Sequence, residues 1–182
     1  MRTVGDIFPT CDLEIVEGRE HARAVRILPV ASQRGEWRVW FFWPYDFSQV
    51  CPTEVVAFDR RAPDFADRGA RVVGVSVDSV WAHLAWRQHH PALRDLTIPL
   101  ATDVTRTLVD ALGILDVRTG VAMRATFIVD PEGMIRWVGV YDTAVGRNVD
   151  EVMRVLDALQ TGAPCPCGWE KGEPTLSDRV VD

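Results

Sequence analysis

The chain has 182 residues, 47% of them hydrophobic, which suffices to bury one good-sized core in a single domain. Its formal charge of -6, with basic residues spread along the chain, leaves no basic patch for a phosphate backbone and argues against a nucleic-acid partner. No run approaches the ~18 apolar residues of a membrane span, and the opening stretch, interrupted by Asp6 and Asp12, does not read as a signal peptide, so the expectation is a cytoplasmic protein with no membrane partner.

In chain order, "FPTCDLEIV" predicts an early strand in which Cys11 is a small buried hydrophobe. "RVWFFW" (38–43), "RVVGVSVD" (71–78) and "TFIVD" (126–130) are apolar runs without polar alternation, as strands covered on both faces require. Between them, "TEVVAFDRRAPDF" and "SVWAHLAWRQHH" space apolar residues as helices do, which gives βαβ units. His83, Trp86 and Trp81 fall on the second of these, as helix packing or as substrate contacts. "TFIVDPEGMIRWVGV" predicts a hairpin turning at Pro131, Glu132 and Gly133, so the sheet is mixed. "NVDEVMRVLDALQ" starts like a capping box, Asn148 with Glu151, and puts Val149, Val152, Met153, Leu156 and Leu159 on one face, for packing on the sheet. The fold class is therefore α/β, with a domain over 1–160 and an irregular tail over 161–182, rich in proline, glycine and charge, as part of the same structural unit.

Four cysteines, Cys11, Cys51, Cys165 and Cys167, are too few for a secreted disulfide scaffold; in a reducing compartment they are inert, metal-binding or catalytic. A zinc site could draw on Cys165 and Cys167 with His83, His89 or His90, but no second close-spaced ligand pair of clear zinc type appears, and no metal or other cofactor is expected. Cys51 follows "RVWFFW" by a short loop, and Pro52 suits the first turn of a helix. A helix N-terminus favours an anion, and the thiolate is the nucleophilic form of cysteine, so the junction is placed for chemistry. A buried inert cysteine would fit the same position.

A resemblance separates these readings. "PYDFSQVCPTE" resembles the active-site segment of the peroxiredoxins, with Pro44, Ser48 and Cys51 in register. "GVSVDSVWAHLAWR", "RATFIVDPEG", "GRNVDEVMRVLDALQ" and "CPCGWEKGEPTL" are similar to the corresponding stretches of the typical 2-Cys subgroup. Within it the likeness is to the bacterial AhpC branch, the peroxidase components of alkyl hydroperoxide reductases, in the variant with an extra cysteine two positions after the resolving one. The resemblance implies a thioredoxin-like fold and a thiol-dependent peroxidase without cofactor, reducing hydrogen peroxide and organic hydroperoxides. It implies that Cys51 attacks the peroxide, that Arg124 and Ser48 supply donors beside it, and that Pro44 shields the sulfur. Glu54 and Arg147 would form a supporting layer in which a carboxylate orients guanidinium groups. Cys165 would be the resolving cysteine, forming an intersubunit disulfide, with Cys167 auxiliary. Most family members carry threonine where this chain has Ser48, which bears on rate.

The implied partners are a second copy of the chain, a ring of dimers, and a dithiol reductant, whether AhpD-like, thioredoxin or a flavoprotein reductase. Where easily over-oxidised relatives carry a Gly-Gly-Leu-Gly loop and a C-terminal Tyr-Phe helix, this sequence reads "LDVRTGVAMR" and "LSDRVVD", so the resemblance implies a robust bacterial-type enzyme with Cys51 less liable to reach sulfinic acid. A thioredoxin-like disulfide oxidoreductase would need a second cysteine where Glu54 stands. A redox-responsive chaperone or peroxide sensor using the same thiol is the alternative from another class.

Overall fold

The uninterrupted apolar runs form the middle of a mixed sheet. The computed structural model describes residues 1–18, 25–30 and 35–178; the last four residues of the expected tail, 179–182, lie outside them. Strands β1 (Asp12–Val16), β2 (Val25–Pro29), β3 (Trp37–Phe42), β4 (Ala70–Ser76), β5 (Leu100–Thr102), β8 (Arg124–Val129) and β9 (Ile135–Tyr141) build, among the described residues, a seven-stranded sheet in the order β2-β1-β5-β4-β3-β8-β9. Pairing is parallel for β3/β4 and β4/β5 and antiparallel elsewhere. All six residues of β8 are buried, as its run predicts.

Helices α1 (Cys51–Arg60) and α2 (Ala62–Ala66) connect β3 to β4, α3 (Val80–His89) connects β4 to β5, and α4 (Thr107–Leu112) follows β5. Alternate residues of β3 serve opposite faces of the sheet. Trp40 and Phe42 join the core cluster with Leu108, Val109 and Leu112 of α4. Phe41 stacks on Phe58 of α1 at 4.2 Å between centroids, and Phe58 stacks on Phe65 of α2. Gly74 in β4 permits this second layer, because a Cβ there would lie 2.6 Å from Phe41 Cζ and 2.7 Å from Trp43 Cζ3.

Several expectations are corrected. The helix read over 53–65 is two helices separated at Arg61, because Pro63 cannot donate to the carbonyl four residues back and its ring crowds that turn. Trp81 is 62% exposed, whereas Trp86 is buried. Cys11 precedes β1 and is half-buried. The stretch "LDVRTGVAMR" contains a small hairpin, β6 (Leu115–Asp116) with β7 (Val121–Ala122), whose turn closes on the Asp116 carbonyl, 2.7 Å from Gly120 N. The β8–β9 hairpin forms as expected, and Asp130 pins its turn by accepting from Met134 N at 2.8 Å and Glu132 N at 3.1 Å.

The chain groups into two units, 1–147 and 148–182. The second opens with α5 (Val149–Thr161), where Asn148 Oδ1 accepts from the N–H groups of Asp150 and Glu151 at 3.0 and 3.4 Å. The reciprocal half of the capping box is not what Glu151 does: its carboxylate engages Arg154 at 2.6 and 2.7 Å. Val149, Val152, Met153 and Leu156 are buried as expected, and Leu159 is half-buried. The tail after α5 has no helix or strand among the described residues, and it turns back on itself through Trp169, whose Nε1 donates to Glu173 O at 2.9 Å and whose carbonyl accepts from Arg154 at 3.0 Å.

Candidate active site

β3 ends against β4 with Trp43 N donating to Val75 O, and the chain then leaves the sheet at the buried Pro44. A short segment leads to Val50, the N-cap of α1, and Cys51 opens the helix with Pro52 in its first turn. Val50 has no capping side chain; Ser48, two residues earlier, accepts from Cys51 N–H through its hydroxyl at 3.4 Å. Ser48 thus does part of a cap's work from outside the cap position.

Cys51 is 0% exposed. The guanidinium of Arg124, the first residue of β8, faces its sulfur with Nη1 at 3.7 Å and Nη2 at 3.8 Å. Antiparallel β3/β8 pairing carries the start of β8 to the end of β3, where the Cys51 segment begins, so residues 73 apart in sequence meet. Arg124 is itself held: Nη1 donates to Glu54 Oε2, and Nη2 donates to the carbonyl of Thr143 at 2.8 Å. Its Nε is buried and has no hydrogen-bond partner among the described residues.

Glu54 lies one turn into α1 from Cys51, on the same side of the helix. Its carboxylate bridges two arginines, since Arg147 donates Nε to Oε1 and Nη2 to Oε2, both at 2.9 Å, and its backbone N–H to Oε1 at 2.9 Å. Arg147 Nη1 donates to the carbonyl of Ala125 at 2.7 Å, and its guanidinium lies over the Phe41 ring at 5.3 Å from the centroid. Burial pulls the Arg147 guanidinium below its ordinary range, opposed by Glu54 and reinforced by Arg124. One carboxylate against two guanidinium groups leaves this buried cluster one positive charge in excess, at the sulfur.

The first unit therefore brings together Ser48, Cys51, Glu54, Arg124 and Arg147, with Pro44 at the start of the same segment. Cys165 and Cys167 belong to the second unit. Cys165 is half-buried, its sulfur 3.5 Å from Ala163 O and from Thr161 Oγ1; Cys167 is exposed. No group of three or more metal-ligating side chains occurs among the described residues. His83, weighed above as a ligand, spends both ring nitrogens on Asp46 Oδ2 at 2.7 Å and Ala101 O at 3.1 Å. This buried pair, with Trp43 Nε1 donating to Asp46 Oδ1 at 2.9 Å, ties the segment that leads to Cys51 to α3 and was not foreseen. Nothing in a local spacing could have revealed it, since Asp46 and His83 are 37 positions apart.

The chain matches the AhpC/TSA family over residues 4–138. It is 48% identical to alkyl hydroperoxide reductase C of Mycolicibacterium smegmatis, over 96% of this chain and 93% of that one. It is 43% identical to peroxiredoxin-2 of Cricetulus griseus, over 87% and 84%. Among solved structures, Mycobacterium tuberculosis AhpC superposes with a TM-score of 0.84 at 43% identity, covering 93% of this chain and 99% of that one. The reduced 2-Cys peroxiredoxin of Plasmodium vivax superposes with a TM-score of 0.89 at 30% identity, covering 96% and 93%. A mixed sheet that delivers a cysteine, a glutamate and two arginines to one buried point, together with these likenesses over nearly the full length, establishes that the chain belongs to the AhpC/TSA family.

Proposed function

We propose that the protein is a thiol-dependent peroxidase that reduces hydrogen peroxide and organic hydroperoxides through Cys51. The observation that carries this reading is the pair of Arg124 nitrogens at 3.7 and 3.8 Å from a buried sulfur at a helix start. A Cys51 thiolate balances the excess positive charge of the Glu54–Arg124–Arg147 cluster. The thiolate attacks one oxygen of the O–O bond, forming an S–O bond as the O–O bond breaks; sulfur is oxidised to the sulfenic acid and the peroxide leaves as alkoxide or hydroxide, which takes a proton from water. Charge thus moves from sulfur to the departing oxygen, and donors already fixed beside the sulfur stabilise it without rearranging. The unpaired Arg124 Nε–H and the Ser48 hydroxyl are the donors available for peroxide oxygens, and Pro44 limits water at the sulfur.

Cys165 of a second copy then attacks the sulfenic acid, giving an intersubunit disulfide and water, and a dithiol protein returns both sulfurs to thiols. Cys167 takes part in that last exchange. Homodimers, gathered into a ring, are the working assembly, in the cytoplasm. The test is turnover of hydrogen peroxide and of an organic hydroperoxide with an AhpD-like protein, a thioredoxin or a flavoprotein reductase as donor. Cys51→Ser is expected to abolish consumption, and Cys165→Ser to permit a single oxidation that stops at the sulfenic acid. Failure of all three donors, with Cys51 unchanged in mass after peroxide, would sink the reading.

A further inference from the structure

The segment from 44 to 50 has no helix or strand of its own, yet it sets where Pro44 and Ser48 stand relative to Cys51. Its path is unusual: Phe47 sits at φ 57, a left-handed conformation that a bulky side chain adopts only when its surroundings require it. The surroundings here are a buried polar group centred on Asp46, midway between Pro44 and Ser48.

Asp46 is tied in three directions. Its Oδ1 accepts from Trp43 Nε1 at 2.9 Å, its Oδ2 lies 2.7 Å from His83 Nδ1 on α3, and its backbone N–H donates to Asp78 Oδ2 at 2.9 Å. Each anchor is fixed in turn. His83 Nε2 is 3.1 Å from the Ala101 carbonyl on β5, Asp78 Oδ2 accepts from Ser76 Oγ at 2.9 Å, and Thr102 Oγ1 donates to the Asp78 carbonyl. The side chains of His83 and Asp46 are 0% and 2% exposed. Burying a carboxylate and an imidazole costs more than burying apolar groups of their size, and apolar packing would hold the elements together as well. What hydrogen bonds add is direction: they fix the orientation of the segment. Both His83 ring nitrogens are engaged, one by the segment through Asp46 and one by the sheet through the Ala101 carbonyl, so the ring links the two.

We infer that Asp46 and His83 are positioning residues for the peroxide reaction, the Trp43–Asp46–His83 chain fixing the placement of Pro44 and Ser48 relative to the Cys51 sulfur. This rests on the peroxidase reading and deepens it. Neither residue touches the sulfur, and the group shares no member with the Glu54–Arg124–Arg147 cluster, so placement of the segment and stabilisation of the thiolate are separable.

The test measures two rates on Asp46→Asn and His83→Gln. The second-order rate of Cys51 oxidation by hydrogen peroxide is expected to fall about ten- to a hundredfold, as for a misplacement of about 1 Å. Alkylation of Cys51 by iodoacetamide, which uses the thiolate but neither Pro44 nor Ser48, is expected to stay within about twofold. A peroxide rate within about twofold of the parent, or two rates that fall together, overturns the inference. A measurement on the unsubstituted protein stands even if a variant does not fold: the buried Trp43 indole N–H that donates to Asp46 should be strongly protected from hydrogen exchange, and exchange as fast as that of an exposed indole overturns the inference. An unsubstituted protein that left peroxide untouched would defeat the peroxidase reading, whereas active protein with unchanged variants would defeat this inference alone.

Discussion

Glu54 is one carboxylate between two buried guanidinium groups, so replacing it does more than remove an ion pair: it leaves both Arg124 and Arg147 without their common counter-ion. Breaking one partner of a buried pair costs about 3–5 kcal/mol, and Glu54→Gln, which keeps the shape, is expected to fall in that range by urea denaturation and to slow peroxide oxidation because Arg124 loses its charged anchor and keeps only the Thr143 carbonyl. A loss of less than about 1 kcal/mol, the worth of an exposed pair, would show that the cluster does not depend on this carboxylate. Cys11 illustrates the opposite electrostatic setting. Burial, then Asp103 and Asp12, disfavour its thiolate and push the thiol up to about 11. At about pH 8 only about one molecule in a thousand then carries the nucleophilic form, so iodoacetamide should label the exposed Cys167 and leave Cys11 unlabelled, with labelling of Cys11 growing as pH rises toward 11. Mass spectrometry of peptides alkylated at about pH 8 decides it, and Cys11 labelled as fast as Cys167 would be the contrary result.

At the scale of elements, the aromatic layer under the site depends on a missing side chain. Gly74 in β4 leaves room for Phe41 and Trp43, and Gly74→Ala would press a methyl to 2.6 and 2.7 Å from two rigid rings. Such overpacking costs about 1–3 kcal/mol, and a fall in thermal midpoint is expected; an unchanged midpoint would mean that the β3 aromatic residues yield freely. This close approach shows how unevenly the sequence reveals the fold. β3, β4 and β8 were legible because strands covered on both faces carry unbroken apolar runs. β2 and β5 were not: β2 is an edge strand with mixed polarity, and β5, at three residues, is too short to show a period. Helix α1 was legible in its apolar spacing but not in its end, where Pro63 overrode a pattern that would otherwise run on. In the site, Cys51 was visible as a helix-start cysteine and Arg124, Glu54 and Arg147 only through the family register, because strand pairing and not spacing brings them together. Asp46 and His83 lie within stretches that carry the family likeness, but neither spacing nor register paired them, since it is the packing of α3 on the sheet that brings them together.

For the whole molecule, the proposed cycle asks the Cys51 sulfur to meet a peroxide in one step and another cysteine in the next, and its surroundings suit only the first. A small hydroperoxide needs a narrow approach to a sulfur held by Arg124, but a second sulfur must come within bonding distance of an atom that is 0% exposed at the start of α1. Whichever copy supplies it, the first turn of α1 has to open, breaking the Cys51 N–H bond to Ser48 and drawing the sulfur away from Arg124. If Cys165 resolves as proposed, it would likewise leave Ala163 O and Thr161 Oγ1. The disulfide form should therefore be locally unfolded around 48–54 while the sheet is unchanged, a partial opening of the kind that small cooperative units of a fold allow. Hydrogen exchange of the reduced and disulfide forms reads this directly: peptides spanning the first turn of α1 should lose protection on oxidation, and those from β3, β4 and β8 should keep it. Equal protection of the first turn in both forms would mean that Cys51 forms its disulfide without leaving the helix, and that the buried geometry described here is not the barrier between the two steps.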